Sequence, residues 1–195
     1  MKSSANSLDA RLRRGLKYFN RFMLLLWRLG LGNWLNAWPG VFGWTMVLTH
    51  TGRRSGLPRR TPVNFALVDG DLYCVAGFGA GSDWYRNICV QPRVEVWLPE
   101  GWWTGVAEDV SSLPDRLVYI RQVLIASGFA ARLAGIDPLS ISDEELERVT
   151  RPYRLVRIRL LTACTGPGGP GELAWIWPLA TFILLPLVFF RRRKE

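Results

Sequence analysis

The chain has 195 residues, 49% hydrophobic and 21% charged, a composition that excludes a disordered or low-complexity protein and fits one domain of ordinary size. Its 25 Lys and Arg against 16 Asp and Glu give a net charge of +9. That excess is uneven: residues 1–60 carry a net +10, residues 61–190 a net −4 and the last five residues +3, which argues against a general nucleic-acid coat.

Residues 1–40 form the first section, and helical periodicity over 8–28 predicts a basic amphipathic helix. Leu8, Leu12, Leu16, Phe19, Phe22, Met23, Leu26 and Trp27 fall on one side, and Arg13, Arg14, Lys17, Arg21 and Arg28 on the other. Leu24 and Leu25 interrupt the pattern. Such a helix suits a membrane surface, but a helix packed on its own domain has the same period. Charge recurs through it, so it does not read as a secretory signal.

Residues 41–163 read as the folded domain. Apolar or alternating runs predict strands over 41–50, 61–68, 72–76, 93–98, 102–110 and 153–161. Asp69-Gly70 is a hairpin signal between the second and third. Helices are expected over 82–90 and 114–133, and Ser142-Asp-Glu-Glu145 fits a capping box opening a short acidic helix. Six short strands with interposed helices give an α+β, mainly β class: a small barrel with flanking helices, without βαβ alternation.

Residues 164–172 are dominated by Gly and Pro and read as a linker. In the section that follows, 173–195, positions 173–190 hold 18 uncharged residues. As a helix these span about 27 Å, close to the roughly 30 Å of a bilayer's hydrocarbon core. Trp175 and Trp177 lie near one end and Arg191, Arg192, Arg193 and Lys194 close the other, so a transmembrane or membrane-anchoring helix is expected, kinked at Pro178 and Pro186. A buried core helix is the competing reading.

Cys74, Cys89 and Cys164 are scattered and His50 is the single histidine, so no metal site and no histidine-based triad within the chain is expected. Unpaired cysteines fit a reduced, cytosol-facing domain.

Two segments carry chemistry. Thr49-His50-Thr51-Gly52-Arg53-Arg54-Ser55-Gly56-Leu57-Pro58-Arg59-Arg60-Thr61-Pro62 places four arginines between and beyond two glycines. Tight turns with exposed amides and guanidinium forks suit a phosphate or several carboxylates; a solvated basic hairpin has the same composition. The Walker A order is absent. The second segment, Gly77-Phe78-Gly79-Ala80-Gly81-Ser82-Asp83-Trp84-Tyr85-Arg86-Asn87, is a glycine-rich turn opening a helix, with Trp84 able to line a flat ligand or simply to pack.

Together, in this order and spacing, and with Ile88 and Pro92-Arg93-Val94 after them, these segments resemble the deazaflavin-dependent nitroreductase family, a branch of the split β-barrel flavin-binding proteins. The resemblance is close over residues 44–98 and looser to 161. It implies a split β-barrel that binds the reduced deazaflavin coenzyme F-420, a hydride donor with a phosphate and an oligoglutamate tail. By position, Arg53, Arg54 and Ser55 would meet phosphate and tail. Arg59, Arg60, Thr61, Pro62 and Val63 would run along the chromophore and its linker. Val75, Ala76, Gly77 and Phe78, with Asp83, Trp84, Tyr85 and Asn87, would complete the pocket.

Some members carry a serine where this chain has Gly77 and a tyrosine cluster where this chain has Ser127-Gly128-Phe129. Tyr85 and Phe129 are left as the side chains expected beside the acceptor, and no general acid or base is evident. The implied activity is hydride transfer to a lipophilic acceptor such as a quinone or a nitro compound. Two alternatives stay open: a non-catalytic, membrane-tethered barrel storing deazaflavin or haem-like ligands, and a split barrel using FMN. The expected partners are membrane lipid and a small acceptor, not nucleic acid, and barrels of this kind can be homodimers. The expected location is a membrane, with the catalytic domain on its cytoplasmic side.

Overall fold

The computed structural model describes residue 15 and residues 17–192. Strands β1 (Thr45–Thr51), β2 (Pro58–Val68), β3 (Asp71–Ala76), β4 (Arg93–Leu98), β5 (Gly101–Asp109) and β6 (Arg154–Ala163) close an antiparallel barrel in the order β1-β2-β3-β6-β5-β4. Period-2 alternation puts Met46, Leu48, Phe65, Leu72, Cys74, Val94, Val96, Val156 and Ile158 inside. The β2–β3 hairpin turns at Asp69 and Gly70, both with positive φ (52° and 85°), as a two-residue primed turn requires. β2 is long enough to pair with β1 over its first half and with β3 over its second, which bends it around the barrel.

The helices are α1 (17–28), α2 (Gly32–Asn36), α3 (Pro39–Phe42), α4 (Asp83–Val90), α5 (Arg116–Ala126), α6 (Phe129–Leu133), α7 (Asp143–Thr150) and α8 (Ile176–Arg192). Among the described residues helix outweighs strand, so the class is mixed rather than mainly β. The first expected strand loses its opening residues to α3, where Pro39 takes the first helical position. The single helix expected over 114–133 is broken in two at Gly128 (φ 58°). A Cβ there would lie 2.6 Å from the Gly43 amide nitrogen, so only glycine allows this close crossing. Ser142 caps α7 as read, with the Glu145 amide donating to Ser142 Oγ at 3.3 Å, while the Glu145 carboxylate pairs with Arg148 and does not close the reciprocal half of the box.

Two layers cover the barrel's outer face. α5, α6 and α7 bury Ile120, Val123, Leu124, Ala131 and Leu146 against Ala66, Tyr73 and Leu155. α1 and α2 bury Met23, Trp27 and Leu35 against Val47 and Trp97. α1 thus packs on its own domain along one stripe. Tyr18, Phe19, Phe22 and Leu25 stay exposed on it, so Phe19 and Phe22 do not share the buried stripe that helical periodicity gave them. Leu8, Leu12, Arg13, Arg14 and Leu16 lie outside the described residues.

The Gly/Pro run is docked along α1 and β2. The Gly171 amide donates to Trp27 O (3.0 Å) and the Leu173 amide to Arg28 O (2.8 Å). Arg60 donates to Gly168 O (2.8 Å), and Glu172 pairs with Arg28 and Arg60. Trp177 Nε1 donates to Leu29 O at 2.9 Å, fixing the start of α8. These contacts take residues 173–175 out of the expected 18-residue helix. Among the described residues no helix is long and apolar enough to cross a membrane. The transmembrane reading of 173–190 is therefore corrected: α8 begins at Ile176 and ends in Arg191 and Arg192, leaving an apolar part of roughly 22 Å against the roughly 30 Å needed.

Candidate functional site

The arginine-rich segment forms the β1–β2 turn at one end of the barrel. Ser55 and Gly56 amides fold back on Gly52 O (3.1 and 2.8 Å), and the Gly52 amide donates to Leu57 O (2.8 Å). A Cβ on Gly52 would sit 2.8 Å from Ser55 Oγ, so glycine is what lets this turn close. α4 lies against the same end and inserts Tyr85 and Ile88 into the barrel core. It is laid there by the turn after β3, where a Cβ on Gly79 (φ 55°) would lie 2.1 Å from Pro152 O.

The four arginines have different fates. Arg53 is turned into the protein: its guanidinium donates to Asn87 Oδ1 and to Asp83 Oδ1, each at 2.9 Å, and its amide donates to Asn87 Oδ1 at 3.2 Å. Arg60 lies on the outer face over the Trp97 ring (4.5 Å) and holds the C-terminal run. Arg54 and Arg59 are exposed and have no ion-pair partner among the described residues. Ser55 is exposed beside them, its Oγ accepting only a long bond from the Leu57 amide (3.4 Å).

Strand alternation divides the rest of the segment. Arg59, Thr61 and Val63 share the inner parity of β2 with Phe65; Arg60 and Pro62 take the outer parity. Thr61, Val63 and Trp84 are half-buried, and Val63, which pairs with Met46 toward the start of β1, and Trp84 pack on the interior cluster. On β3, Ala76 faces inward and Val75 packs outward under α5 and α7. Gly77 and Phe78 follow, both exposed, and a Cβ on Gly77 would meet nothing within 4 Å.

The two residues expected beside an acceptor do not join this group. Tyr85 is buried and its hydroxyl donates to Asp109 Oδ2 at 2.5 Å; burial first, then that bond, hold it in its protonated form far above the usual tyrosine range. Asp109 stays below the usual carboxylate range although burial opposes this, because Ser111 and Tyr85 donate to it. Phe129 follows Gly128 beside α3 and the start of β1, about 20 Å along the ladder from the arginine turn.

Sequence reading passed over His50 as a site residue. It continues the inward series Met46, Leu48, His50, and that parity was the available signal. The ring is 4% exposed, and lies 3.1 Å from both Asn87 Nδ2 and Thr61 Oγ1. Burial, and then the positive Arg59, lower its pKa to about 4, with Asp83 opposing, so it is neutral at pH 7. Among the described residues no cluster could hold a metal ion.

Residues 30–142, more than half of the chain, match the profile of the F420H(2)-dependent quinone reductase family. The chain belongs to that family. It is an oxidoreductase and its coenzyme is the deazaflavin F-420, which sets aside the FMN and storage alternatives. No curated protein matches it. Similar solved structures include an F420-H2 dependent reductase, 20% identical over 60% of this chain and 93% of that one (TM-score 0.43). Others are the heme storage protein HutZ from Vibrio cholerae (14%, 61% and 82%, TM-score 0.45) and a FAD-binding protein from Mesorhizobium loti (17%, 65% and 87%, TM-score 0.40). These likenesses are distant.

The residues at the barrel end fit an anionic, flat coenzyme. Arg54 within the turn between Gly52 and Gly56, and Arg59 just after it, have no ion-pair partner among the described residues, and half-buried Thr61 and Val63 follow on the inner parity of β2, with half-buried Trp84 on α4.

Proposed function

We propose that this reductase holds coenzyme F-420 at the barrel end and delivers its hydride to a lipophilic acceptor of the quinone or nitro-compound class taken from a membrane surface. The observation that carries the binding reading is the division of the arginines: Arg53 and Arg60 are consumed by the fold, while Arg54 and Arg59 are exposed without ion-pair partners among the described residues. Arg54, with Ser55, would take the phosphate and acidic tail through charge-assisted bonds. Arg59 and Thr61 would contact the linker, and Val63, Trp84, Gly77 and Phe78 would shape the chromophore pocket.

The bound coenzyme supplies the hydride; the protein supplies position, charge and a partly dry surface. Asn87 and Asp83 pin the arginine turn to α4 through Arg53, which fixes the distance between the cationic and aromatic sides of the site. Tyr85 is buried and its hydroxyl is committed to Asp109, so a reduced quinone takes its proton from solvent.

Membrane association is supported by the distribution of exposed side chains. Tyr18, Phe19 and Phe22 on α1, Trp34, Trp38 and Val41 on α2–α3, and Trp175, Trp177 and Phe182 to Leu185 near the C-terminus are all exposed. Exposed Lys17 and Arg21 accompany them on α1. Aromatic residues with cations suit an interface, and a short apolar helix that dips into one leaflet keeps the domain and the Arg191–Lys194 end on the same, cytoplasmic side.

Titration of the purified full chain with reduced coenzyme F-420, followed by a soluble quinone analogue, tests the reaction. Saturable binding and coenzyme oxidation that depends on the quinone are expected. Binding that survives Arg54→Glu at full strength would overturn the placement of the tail. Co-sedimentation with anionic and with zwitterionic vesicles tests the surface: retention only on anionic vesicles is expected, and none on either would remove the membrane from the reading.

A further inference from the structure

The hydrogen bonds around His50 have a direction. Asn87 accepts from the Arg53 amide and guanidinium through one atom, Oδ1. Only the amide oxygen can accept two N–H donors, so the orientation of the Asn87 side chain is set. Its nitrogen then faces His50 Nδ1 at 3.1 Å and donates to it. Nδ1 must therefore lack a proton, and the proton of the neutral ring sits on Nε2. Nε2 lies 3.1 Å from Thr61 Oγ1 and donates to it. Thr61 oxygen is thereby occupied as an acceptor, while its own O–H proton has no partner among the described residues. Thr61 is half-buried, on the inner parity of β2 beside Val63 and in the same barrel end as Trp84.

We propose that His50 is a positioning residue: as the Nε2–H tautomer held by Asn87, it fixes Thr61 as a hydrogen-bond donor toward an acceptor oxygen or nitrogen of the coenzyme's ring system or linker. The part of this concerning the coenzyme rests on the reading of the barrel end given above; the tautomer does not. The relay runs from the arginine turn (Arg53) through α4 (Asn87) and β1 (His50) to β2 (Thr61), so one chain of bonds joins the anion-binding side of the site to the chromophore side. The same relay sets a polarity. A ligand atom that can only donate gains nothing at Thr61.

His50 is the single histidine of the chain, so histidine-selective 15N labelling gives one imidazole spin system. In the coenzyme-free protein at pH 7, Nε2 is expected to carry the proton and Nδ1 to resonate as an unprotonated acceptor. A protonated Nδ1, or rapid averaging of the two tautomers, would overturn the relay. Asn87→Asp leaves an acceptor opposite Nδ1, and the tautomer should then reverse. Coenzyme affinity supplies the second test: Thr61→Val should weaken it about tenfold, and Thr61→Ser should restore it. His50→Phe should cost as much as Thr61→Val, and the double variant no more than either alone. His50→Gln, whose amide can donate to Thr61, should retain affinity within about threefold. Full affinity in Thr61→Val would overturn the donor role while leaving the coenzyme site in place. No binding by the unaltered chain would instead remove the coenzyme reading and leave the tautomer result standing.

Discussion

Arg59 and Arg60 are neighbours in sequence and opposites in the barrel, and this makes a sharp expectation for Arg60→Ala. In the structure Arg60 makes three contacts: a charge-assisted bond to Gly168 O at 2.8 Å, a position over the Trp97 ring at 4.5 Å, and an ion pair with Glu172 at 3.5 Å. A hydrogen bond from a charged donor contributes about 1.5–3 kcal/mol and a partly desolvated cation–π contact about 1 kcal/mol. The ion pair is partly exposed and adds less than about 1 kcal/mol. Because the three share one side chain they do not add fully, and a loss of about 3 kcal/mol is expected. Urea unfolding of the full chain, analysed for midpoint and slope, measures it. Limited proteolysis should also show new cleavage in the Gly/Pro run, whose amides would no longer be held against α1 and β2 by this anchor. Coenzyme affinity should stay within about twofold, whereas the Arg59 and Arg54 variants should lower it severalfold or more. A stability loss under about 1 kcal/mol, or a fall in coenzyme affinity equal to that of Arg59→Ala, would refute the division of labour between the two arginines.

Three further outcomes follow from single contacts. The pKa of His50, lowered from 6.5 to about 4 by burial and Arg59 against the opposing Asp83, means that the unfolded chain binds more protons than the folded one between those values. Stability should thus be full above about pH 6.5 and fall as pH drops toward 4, by up to roughly 3 kcal/mol, and His50→Gln should flatten that part of a pH series of urea midpoints. Gly79→Ala places a Cβ 2.1 Å from Pro152 O at a φ of 55°, and should cost more than about 3 kcal/mol by the same assay; a loss below about 1 kcal/mol would show that the β3–α4 turn yields easily. Tyr85→Phe removes the donor to Asp109 and should lower stability by about 1–2 kcal/mol with quinone reduction unchanged, while a large loss of turnover at full stability would return Tyr85 to the reaction.

The sequence made the barrel legible because its strands obey a period of two and its turns carry their own chemistry. Asp69-Gly70 announced the primed hairpin, and the runs at 93–98 and 102–110 match β4 and β5 to within a residue. Helix boundaries were harder where tertiary packing decides them. Gly128 is the one local signal of a break in 114–133, and it is a weak one, because a lone glycine is tolerated in a helix; what demands it is the backbone at the end of α3, 85 residues away in the chain. Composition misled at the C-terminus for a related reason: a Gly/Pro run has no internal structure, yet its carbonyls and amides bond to Arg60, Trp27 and Arg28, which are distant in sequence.

The candidate site was legible as two segments that the fold brings together, and not as a set of roles. Four arginines in a turn look alike in one dimension. What separates them is which neighbours the fold has already given them: Asp83 and Asn87 for Arg53, Trp97, Gly168 and Glu172 for Arg60, and no ion-pair partner among the described residues for Arg54 and Arg59. A cation whose charge is matched within the fold stiffens it, and one left unmatched on a turn raises the local potential for an anion. His50 follows the same logic from the apolar side. Its parity with Met46 and Leu48 forces the ring into the barrel, burial removes its charge, and Asn87 decides which nitrogen keeps the proton. The barrel end is thus marked as a candidate site by what the described residues leave unmatched there: two guanidinium groups without ion-pair partners and one hydroxyl proton without an acceptor.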